Sequence, residues 1–238
     1  MTPVVAPTRA MVLAAGLGLR LRPITESLPK PLVEVAGRTM LDRALDHLDD
    51  FGIETAAINC HYLADMIEHH VADRLSPRID LFREDTLLDT GGGVANALPA
   101  LGPDPFFAAN ADIIWTDGSR PALARMAEFW RDDDMDALLL IHPVGKATGY
   151  HGDGDFHHDA AGRLQRRSPR KTAPLVFAGV QILHPRLFEA VPSGAFSMNL
   201  LYDKGEKDRR LFGLIHDGDW FHVGTPDALE EASIRLAG

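Results

Sequence analysis

The segment Ala10–Leu32, AMVLAAGLGLRLRPITESLPKPL, decides how the rest of the chain is read. Ala10 to Gly16 is a short apolar run closed by glycine, the pattern of a buried parallel strand. A loop follows that carries Gly16, Gly18, Arg20, Arg22 and Lys30. A glycine-rich turn between such a strand and a helix turns backbone N–H groups toward one point, and no side chain blocks a phosphate from reaching it. The arginines and the lysine add positive charge there, which suits a reaction in which phosphate charge develops. Two known phosphate loops are excluded. The GK[ST] of the ATPases is absent, and the dinucleotide pattern G-x-G-x-x-G fails because Leu21 stands in place of its third glycine. Taken alone, the same residues also fit a surface loop with scattered arginines.

Outward from this loop, apolar periods alternate. Residues 39–51, TMLDRALDHLDDF, place Met40, Leu41, Ala44, Leu45, Leu48 and Phe51 on one helical stripe with Thr39 as its N-cap. TAAINC (55–60) reads as a strand, 63–75 as a helix and 79–82 as a strand; a helix opens at TGGG (90–93), and PFFAANAD (105–112) returns to strand. This is α/β wiring. Beyond Asp112 the alternation loosens into a helix at 121–131, the strand DALLLI (136–141) and a polar, turn-rich stretch at 149–164 read as a hairpin. The strand PLVFAGVQIL (174–183), short helices near Pro185 and Ser197, strands near Leu211 and Trp220, and a closing helix from Thr225 complete the chain. No repeat and no Pro/Gly/Ser linker divides it, so one domain is expected over 1–238, with 1–8 a mobile tail.

Composition narrows the function classes. With 34 acidic against 24 basic residues the formal charge is -10, which disfavours nucleic acid or an anionic membrane as partner. At 45% hydrophobic and 24% charged, 238 residues make an ordinary globular chain able to bury one sizeable core. Cys60 is the sole cysteine, so an intrachain disulfide and a cysteine-rich zinc site are excluded and a reducing compartment is expected. The N-terminus lacks the n- and h-regions of a secretory signal, and no apolar run approaches the ~20 residues of a membrane helix, so a soluble cytoplasmic protein is expected.

The longer string LAAGLGLRLRPITESLPKPLVEVAG (13–37) closely resembles the signature of the sugar-1-phosphate nucleotidylyltransferases. The resemblance runs on, in order, through TGGGVANAL, NADI, GDF, FAGVQILHP and WFHVGTPDALEEA, over nearly the whole chain. It implies a Rossmann-like three-layer α/β/α nucleotidyltransferase fold with a central mixed, mostly parallel sheet. Residues 9–112 would mainly bind nucleotide and 113–238 mainly bind sugar. The implied reaction is in-line attack of a sugar 1-phosphate on the α-phosphorus of a nucleoside triphosphate, releasing pyrophosphate. The short form with DTGGG, GDF and GVQILHP is most similar to the bacterial uridylyltransferases that act on N-acetylmuramate 1-phosphate in peptidoglycan recycling, which implies UTP. Guanylyl transfer to mannose- or heptose-1-phosphate is the alternative, and a catalytically weak nucleotide-sugar sensor a remoter one. A monomer is expected.

The resemblance also implies roles for particular residues. Leu13, Ala14, Ala15, Gly16 and Gly18 would wrap the triphosphate, Arg20 would steady the departing pyrophosphate, and Lys30 would meet the α-phosphate or the sugar phosphate. Asp112 would hold Mg²⁺, a hard cation that prefers carboxylate and phosphate oxygens; a cap after a strand is the plainer reading of that residue. Where the family has a second metal-binding aspartate, in W-x-D-x-G-T, this chain has His222, and imidazole suits Mn²⁺ or another softer divalent ion better than Mg²⁺. His222 then binds such a metal, meets Mg²⁺ through water, or merely packs beside Trp220. Glu84 matches the position facing the base, with Gly92 allowing close approach. A carboxylate accepts from uracil, thymine or guanine alike, so the nucleotide stays open. Asn110, Asp155 and Gly179 match sugar-pocket positions, Asp155 being equally a hairpin-turn aspartate. His151, His157 and His158 lack a zinc spacing, Asp132–Asp134 read as a solvated loop, and Cys60 as a buried spectator thiol.

Overall fold

The structure is a computed structural model that describes residues 6–237, so residues 1–5 of the expected tail lie outside the described residues. The opening apolar run forms β1 (Arg9–Leu13). After the basic loop come a small antiparallel hairpin, β2 (Glu34–Val35) and β3 (Arg38–Thr39), and then α1 (Met40–Phe51). Thr39 caps this helix, its Oγ1 accepting from the Asp42 N–H at 3.0 Å. The helix stops at Gly52, whose φ of 97° is left-handed. β4 (Thr55–Cys60), α2 (Ala64–Val71), β5 (Arg78–Arg83), α3 (Asp89–Leu101) and β6 (Phe106–Asn110) continue the alternation, with β7 (Ile113–Trp115) directly after. The second half comprises α4 (Ala122–Phe129), β8 (Ala137–Pro143), β9 (Phe156–His158), β10 (Leu164–Arg166), β11 (Leu175–Leu183), α5 (Asn199–Lys207), β12 (Leu211–Ile215), β13 (Trp220–His222) and α6 (Pro226–Ala237).

The main sheet runs β12-β8-β11-β6-β1-β4-β5, and the β9–β10 hairpin attaches to the start of β11. Pairings β12/β8, β6/β1, β1/β4 and β4/β5 are parallel, whereas β11 lies antiparallel to both β6 and β8. The sheet is thus mixed and mostly parallel, as expected. Both faces are covered, which is why its strands read as continuous apolar runs rather than alternating ones. Ala10, Val12, Ala56, Ile58, Phe107, Leu138 and Leu140 face one cluster together with Leu41 and Leu45 of α1, Ile67 of α2 and Met126 of α4. Their neighbours Met11, Ala57, Phe106, Ala108, Ala137, Leu139 and Ile141 face the opposite one with Val94 and Ala97 of α3 and Leu201 of α5. Period-two alternation along each strand sorts these side chains into two cores and gives three layers.

A third, smaller core joins Leu21 of the basic loop, Val35 of β2, Ile114 of β7, Phe221 of β13 and Ala232 of α6. It fastens the loop and the β7–β13 pair to the carboxyl ends of β1 and β6. These lie on either side of the point where the strand order reverses, the place where open α/β sheets bind ligands.

Candidate active site

The basic loop is built, not slack. It consists of three short 3₁₀ turns, Leu19–Leu21, Ile24–Glu26 and Lys30–Leu32. Gly18 sits at φ 63°, and a β-carbon there would stand 3.0 Å from both Lys30 Cβ and Thr25 Cγ2, so the loop can fold back on itself only at glycine. The Thr25 hydroxyl donates to the Gly18 carbonyl at 2.7 Å, and fully buried Leu21 anchors the turn. The Tyr62 hydroxyl is 3.0 Å from the carbonyls of both Thr25 and Glu26, latching the loop to the strand-to-helix connection after β4. The expected strand–loop–helix arrangement is corrected here: no helix begins at the end of the loop, because β2 and β3 intervene before α1. Any phosphate at Gly16–Arg20 therefore relies on loop N–H groups and side-chain charge, without a helix dipole.

This loop borders a cavity of about 440 Å³. Of the residues singled out in the sequence, Leu13, Ala14, Ala15, Gly16, Gly18, Arg20, Lys30, Asn110 and Asp112 all line it. Arg20 is exposed, whereas Lys30 is buried, its side chain 8% exposed. Lys30 Nζ donates to Asp112 Oδ2 at 2.9 Å, across 82 residues of sequence. Asp112 itself is 40% exposed, so its carboxylate is paired on one side and open to water on the other. The turn that carries it is set by the Ala111 N–H, which donates to the Leu13 carbonyl at 3.0 Å. Gly179, at φ 80°, lies beside this turn. A β-carbon there would come 2.6 Å from Ile113 Cγ1 and 3.4 Å from Asn110 Cβ, so Gly179 makes room for the turn and does not itself line the cavity.

Glu84 and Gly92 require correction. Glu84 is buried, and its carboxylate is already engaged: Oε1 accepts from Asn59 Nδ2 at 2.7 Å and Oε2 from the Leu88 N–H at 2.9 Å. Asn59 in turn accepts the Ala14 N–H at 2.9 Å through Oδ1. Glu84 thus braces Asn59 and the LAAG turn from behind, while Asn59 lines the cavity. Gly92 packs against the segment 194–198, where a β-carbon would run into the Gly194 carbonyl oxygen. The N–H groups of Gly91 and Gly92 donate to the Phe196 carbonyl at 2.9 and 3.0 Å, so the glycines at the start of α3 admit a neighbouring loop rather than a base.

Asp155 is likewise outside the cavity lining. Its Oδ2 accepts from the Phe177 N–H at 2.9 Å, joining the β9–β10 region to β11. His222 is half-buried, with Nδ1 3.3 Å from the Gly149 carbonyl and Gly224, two residues on, lining the cavity. Burial, reinforced by the nearby Lys30 cation, pushes its imidazole below the ordinary range, so it is neutral at neutral pH. The lining also contains Leu19, Pro31, Leu87, Asp89 and Thr90, none of them read from the sequence. Asn59 carried one signal, as a polar residue near the end of an otherwise apolar strand. Asp132–Asp134 are exposed, as expected of a solvated loop; the carbonyls of Asp132 and Asp133 accept hydrogen bonds from Arg210, and Asp136, just beyond, is buried between Arg186 and Arg210. Cys60 is buried, and burial raises its thiol to about 11.

Residues 9–237 match the family model described as nucleotidyl transferase. The chain belongs to that family. Among its relatives, this nucleotidyl transferase is 41% identical over 98% of both chains to N-acetylmuramate alpha-1-phosphate uridylyltransferase of Caulobacter vibrioides. It is 33% identical, over 97% of its own length and 98% of the relative's, to the protein of the same name from Neisseria meningitidis. A mannose-1-phosphate guanylyltransferase catalytic subunit beta from Drosophila pseudoobscura is 27% identical over 92% of this chain, which spans 60% of that longer protein. The nucleotidyl transferase also superposes on HddC from Yersinia pseudotuberculosis complexed with GMP-PN, with a TM-score of 0.76 at 22% identity over 96% and 99% of the two chains. At that identity the superposition speaks for the fold.

Proposed function

We propose that this nucleotidyl transferase moves a uridylyl group from UTP to N-acetylmuramate α-1-phosphate and releases pyrophosphate. The observation that carries the reading is the Lys30–Asp112 pair at 2.9 Å in the cavity bordered by Gly16, Gly18 and Arg20, in a chain that matches two uridylyltransferases of that name end to end. Loop N–H groups and Arg20 receive the β- and γ-phosphates and take up charge as pyrophosphate leaves. Lys30 lies at the junction between donor and acceptor. Its buried stem fixes Nζ, and its charge offsets the repulsion between the sugar phosphate and the α-phosphate as they approach in line. No covalent intermediate with the enzyme is involved.

The donor set fits a divalent cation that takes most of its ligands from substrate. Asp112 keeps Oδ1 free of hydrogen bonds among the described residues, and His222, with Nδ1–H on the Gly149 carbonyl, presents Nε2 with its lone pair. Among the described residues no group of three or more His, Cys, Asp or Glu gathers for metal binding, as suits an ion that keeps water and phosphate oxygens. Bound there, Mg²⁺ or Mn²⁺ would screen phosphate charge. Asn110 at the cavity wall offers both a donor and an acceptor to sugar hydroxyls.

Guanylyl transfer to mannose- or heptose-1-phosphate is the second reading, favoured by the guanylyltransferase relative. A panel of UTP, GTP, CTP and dTTP crossed with N-acetylmuramate, mannose, glucose and heptose 1-phosphates, followed by pyrophosphate release, tests both. UTP with N-acetylmuramate α-1-phosphate is expected to give the highest kcat/KM; a higher value for GTP with a hexose or heptose phosphate replaces the first reading by the second.

A further inference from the structure

We infer that the cleft between the β9–β10 hairpin and the C-terminal end of α5 is a second ligand site, which takes a phosphate monoester carried on a hydroxyl-bearing body. The cleft encloses about 470 Å³, and Arg163 of the hairpin and Arg209 beyond α5 both line it. None of its lining residues borders the catalytic cavity, and the assignment does not depend on the substrates proposed above. What marks the cleft is two cations without partners. In this acidic chain Arg38, Arg74, Arg125 and Arg186 each hold a carboxylate. The side chains of Arg163 and Arg209 make no hydrogen bond or ion pair among the described residues, a condition they share with Arg20 of the phosphate loop.

The wall carries carboxylates of its own but turns them to the backbone. Asp159 Oδ1 accepts the N–H groups of Ala161 and Arg163, each at 2.9 Å, and the Asp159 N–H donates to the Arg163 carbonyl at 3.0 Å, which fixes the hairpin turn. Glu206 Oε2 accepts the Arg166 N–H at 2.9 Å. Hydrogen bonds from the Arg163 and Ala161 N–H groups, with the charges of Arg163 and Arg209 behind them, hold the Asp159 carboxyl below its ordinary value, so both cations lie around one carboxylate without bonding to it. The Arg163 guanidinium rests over the Phe212 ring, 5.3 Å from its centroid, with Nε buried and unbonded. Arg209 stands just past α5 at φ 59°, the left-handed position where helices commonly place glycine. Two unpaired guanidinium groups match the charge of about −1.5 to −2 on a phosphate monoester, and their N–H forks suit its three terminal oxygens. A carboxylate would answer only one of them. The imidazoles of His157 and His158 add ring donors. Asp159 Oδ2 and Glu206 Oε1 accept nothing among the described residues; they repel a second phosphate and suit hydroxyl groups, while buried Leu164 and Leu211 offer an apolar floor to a ring face.

The test is a titration of the ¹⁵N-labelled protein with glucose 6-phosphate, which has no 1-phosphate to act as acceptor, read from backbone amide shifts. Inorganic phosphate and glucose are separate arms, and wild type is compared with Arg163→Gln and Arg209→Gly. Arg209→Gly places glycine where the backbone favours it, so its Tm is expected at or above that of wild type and the comparison does not rest on a misfolded protein. In wild type, glucose 6-phosphate should shift the amides of His157 to Gln165 saturably with a Kd of about 1 mM or below, inorganic phosphate more weakly and glucose not at all. Each variant should raise that Kd about tenfold, the loss expected for a charge-assisted hydrogen bond. The absence of a saturable shift in the hairpin up to about 20 mM, or shifts confined to the loop at Gly16 to Arg20, overturns the site. So does a Kd within about threefold of wild type in either variant. Equal shifts with glucose, or inorganic phosphate binding as tightly as glucose 6-phosphate, overturns the ligand class.

Discussion

Replacing Lys30 by methionine separates a charge from a structural element. The methionine keeps an unbranched apolar stem in a channel that leaves the lysine side chain only 8% exposed, and it removes the ammonium alone. A unit charge about 4 Å from a phosphoryl oxygen contributes about 4 kcal/mol at an effective dielectric of about 20. Water reaches this pair through the 40% exposed Asp112, so a smaller figure applies, about 2–3 kcal/mol of transition-state stabilisation. Lys30→Met should therefore lower kcat/KM by about 30- to 150-fold. The folded state loses little: Asp112 recovers solvent, and a pair open on one side is worth about 0.2–1 kcal/mol, a Tm shift of at most about 4 °C at this length. Pyrophosphate release and differential scanning calorimetry on the same samples give both numbers. A rate within fivefold of wild type would refute the electrostatic role, and so would a rate loss accompanied by a Tm drop of more than about 8 °C.

Asp136→Ala should lower Tm with little change in kcat, because a side chain 10% exposed that accepts Arg186 Nε at 2.6 Å and Arg210 Nε at 2.8 Å would leave those two Nε–H groups without their carboxylate, at about 2–3 kcal/mol, even though both guanidinium groups keep other acceptors. Burial alone would raise the Asp136 carboxyl, but the two arginine hydrogen bonds outweigh it and hold it below its ordinary value. Its contribution is then fully present above pH about 4 and lost as pH falls through the lower folded value, so the Tm gap between wild type and variant should be flat from pH 7 to 5 and close in acid. Gly92→Ala puts a methyl group against the Gly194 carbonyl and should cost about 1–3 kcal/mol, with faster hydrogen exchange at the Gly91 and Gly92 amides. His222→Asp should shift the metal profile from Mn²⁺ toward Mg²⁺; superimposable activation curves for the two ions before and after substitution would remove His222 from the metal's surroundings.

Features that repeat along the chain were legible in the sequence, and features made by distant partners were not. The β1 run, the Thr39-capped helix and TAAINC carry their periodicity in a few adjacent residues, so they fall where expected. The strand near Trp220 falls where expected as β13, but its partner β7 is not legible, because Ile113–Trp115 offers only three apolar residues and pairs across more than a hundred residues. The loop, Asn110 and Asp112 converge on one cavity because they stand at the ends of adjacent parallel strands, a relation implied by α/β order. Glu84 misled for the opposite reason. Its partner Asn59 lies on a neighbouring strand, and nothing in FREDT indicates that the carboxylate is already engaged. The left-handed turn at Asp89 was hidden as well, because TGGG drew attention to the glycines instead.

The antiparallel placement of β11 between β6 and β8 has a bearing on biosynthesis. While the nascent chain emerges, β6 can pair with β1 at once, but its other edge stays bare until Leu175–Leu183 has left the ribosome. Throughout that interval Phe106 and Phe107 sit on an unprotected strand, the arrangement that invites wrong partners or a chaperone. A truncated gene ending at Asp112 would freeze the molecule at this stage, yielding a sticky fragment instead of a free-standing nucleotide binder.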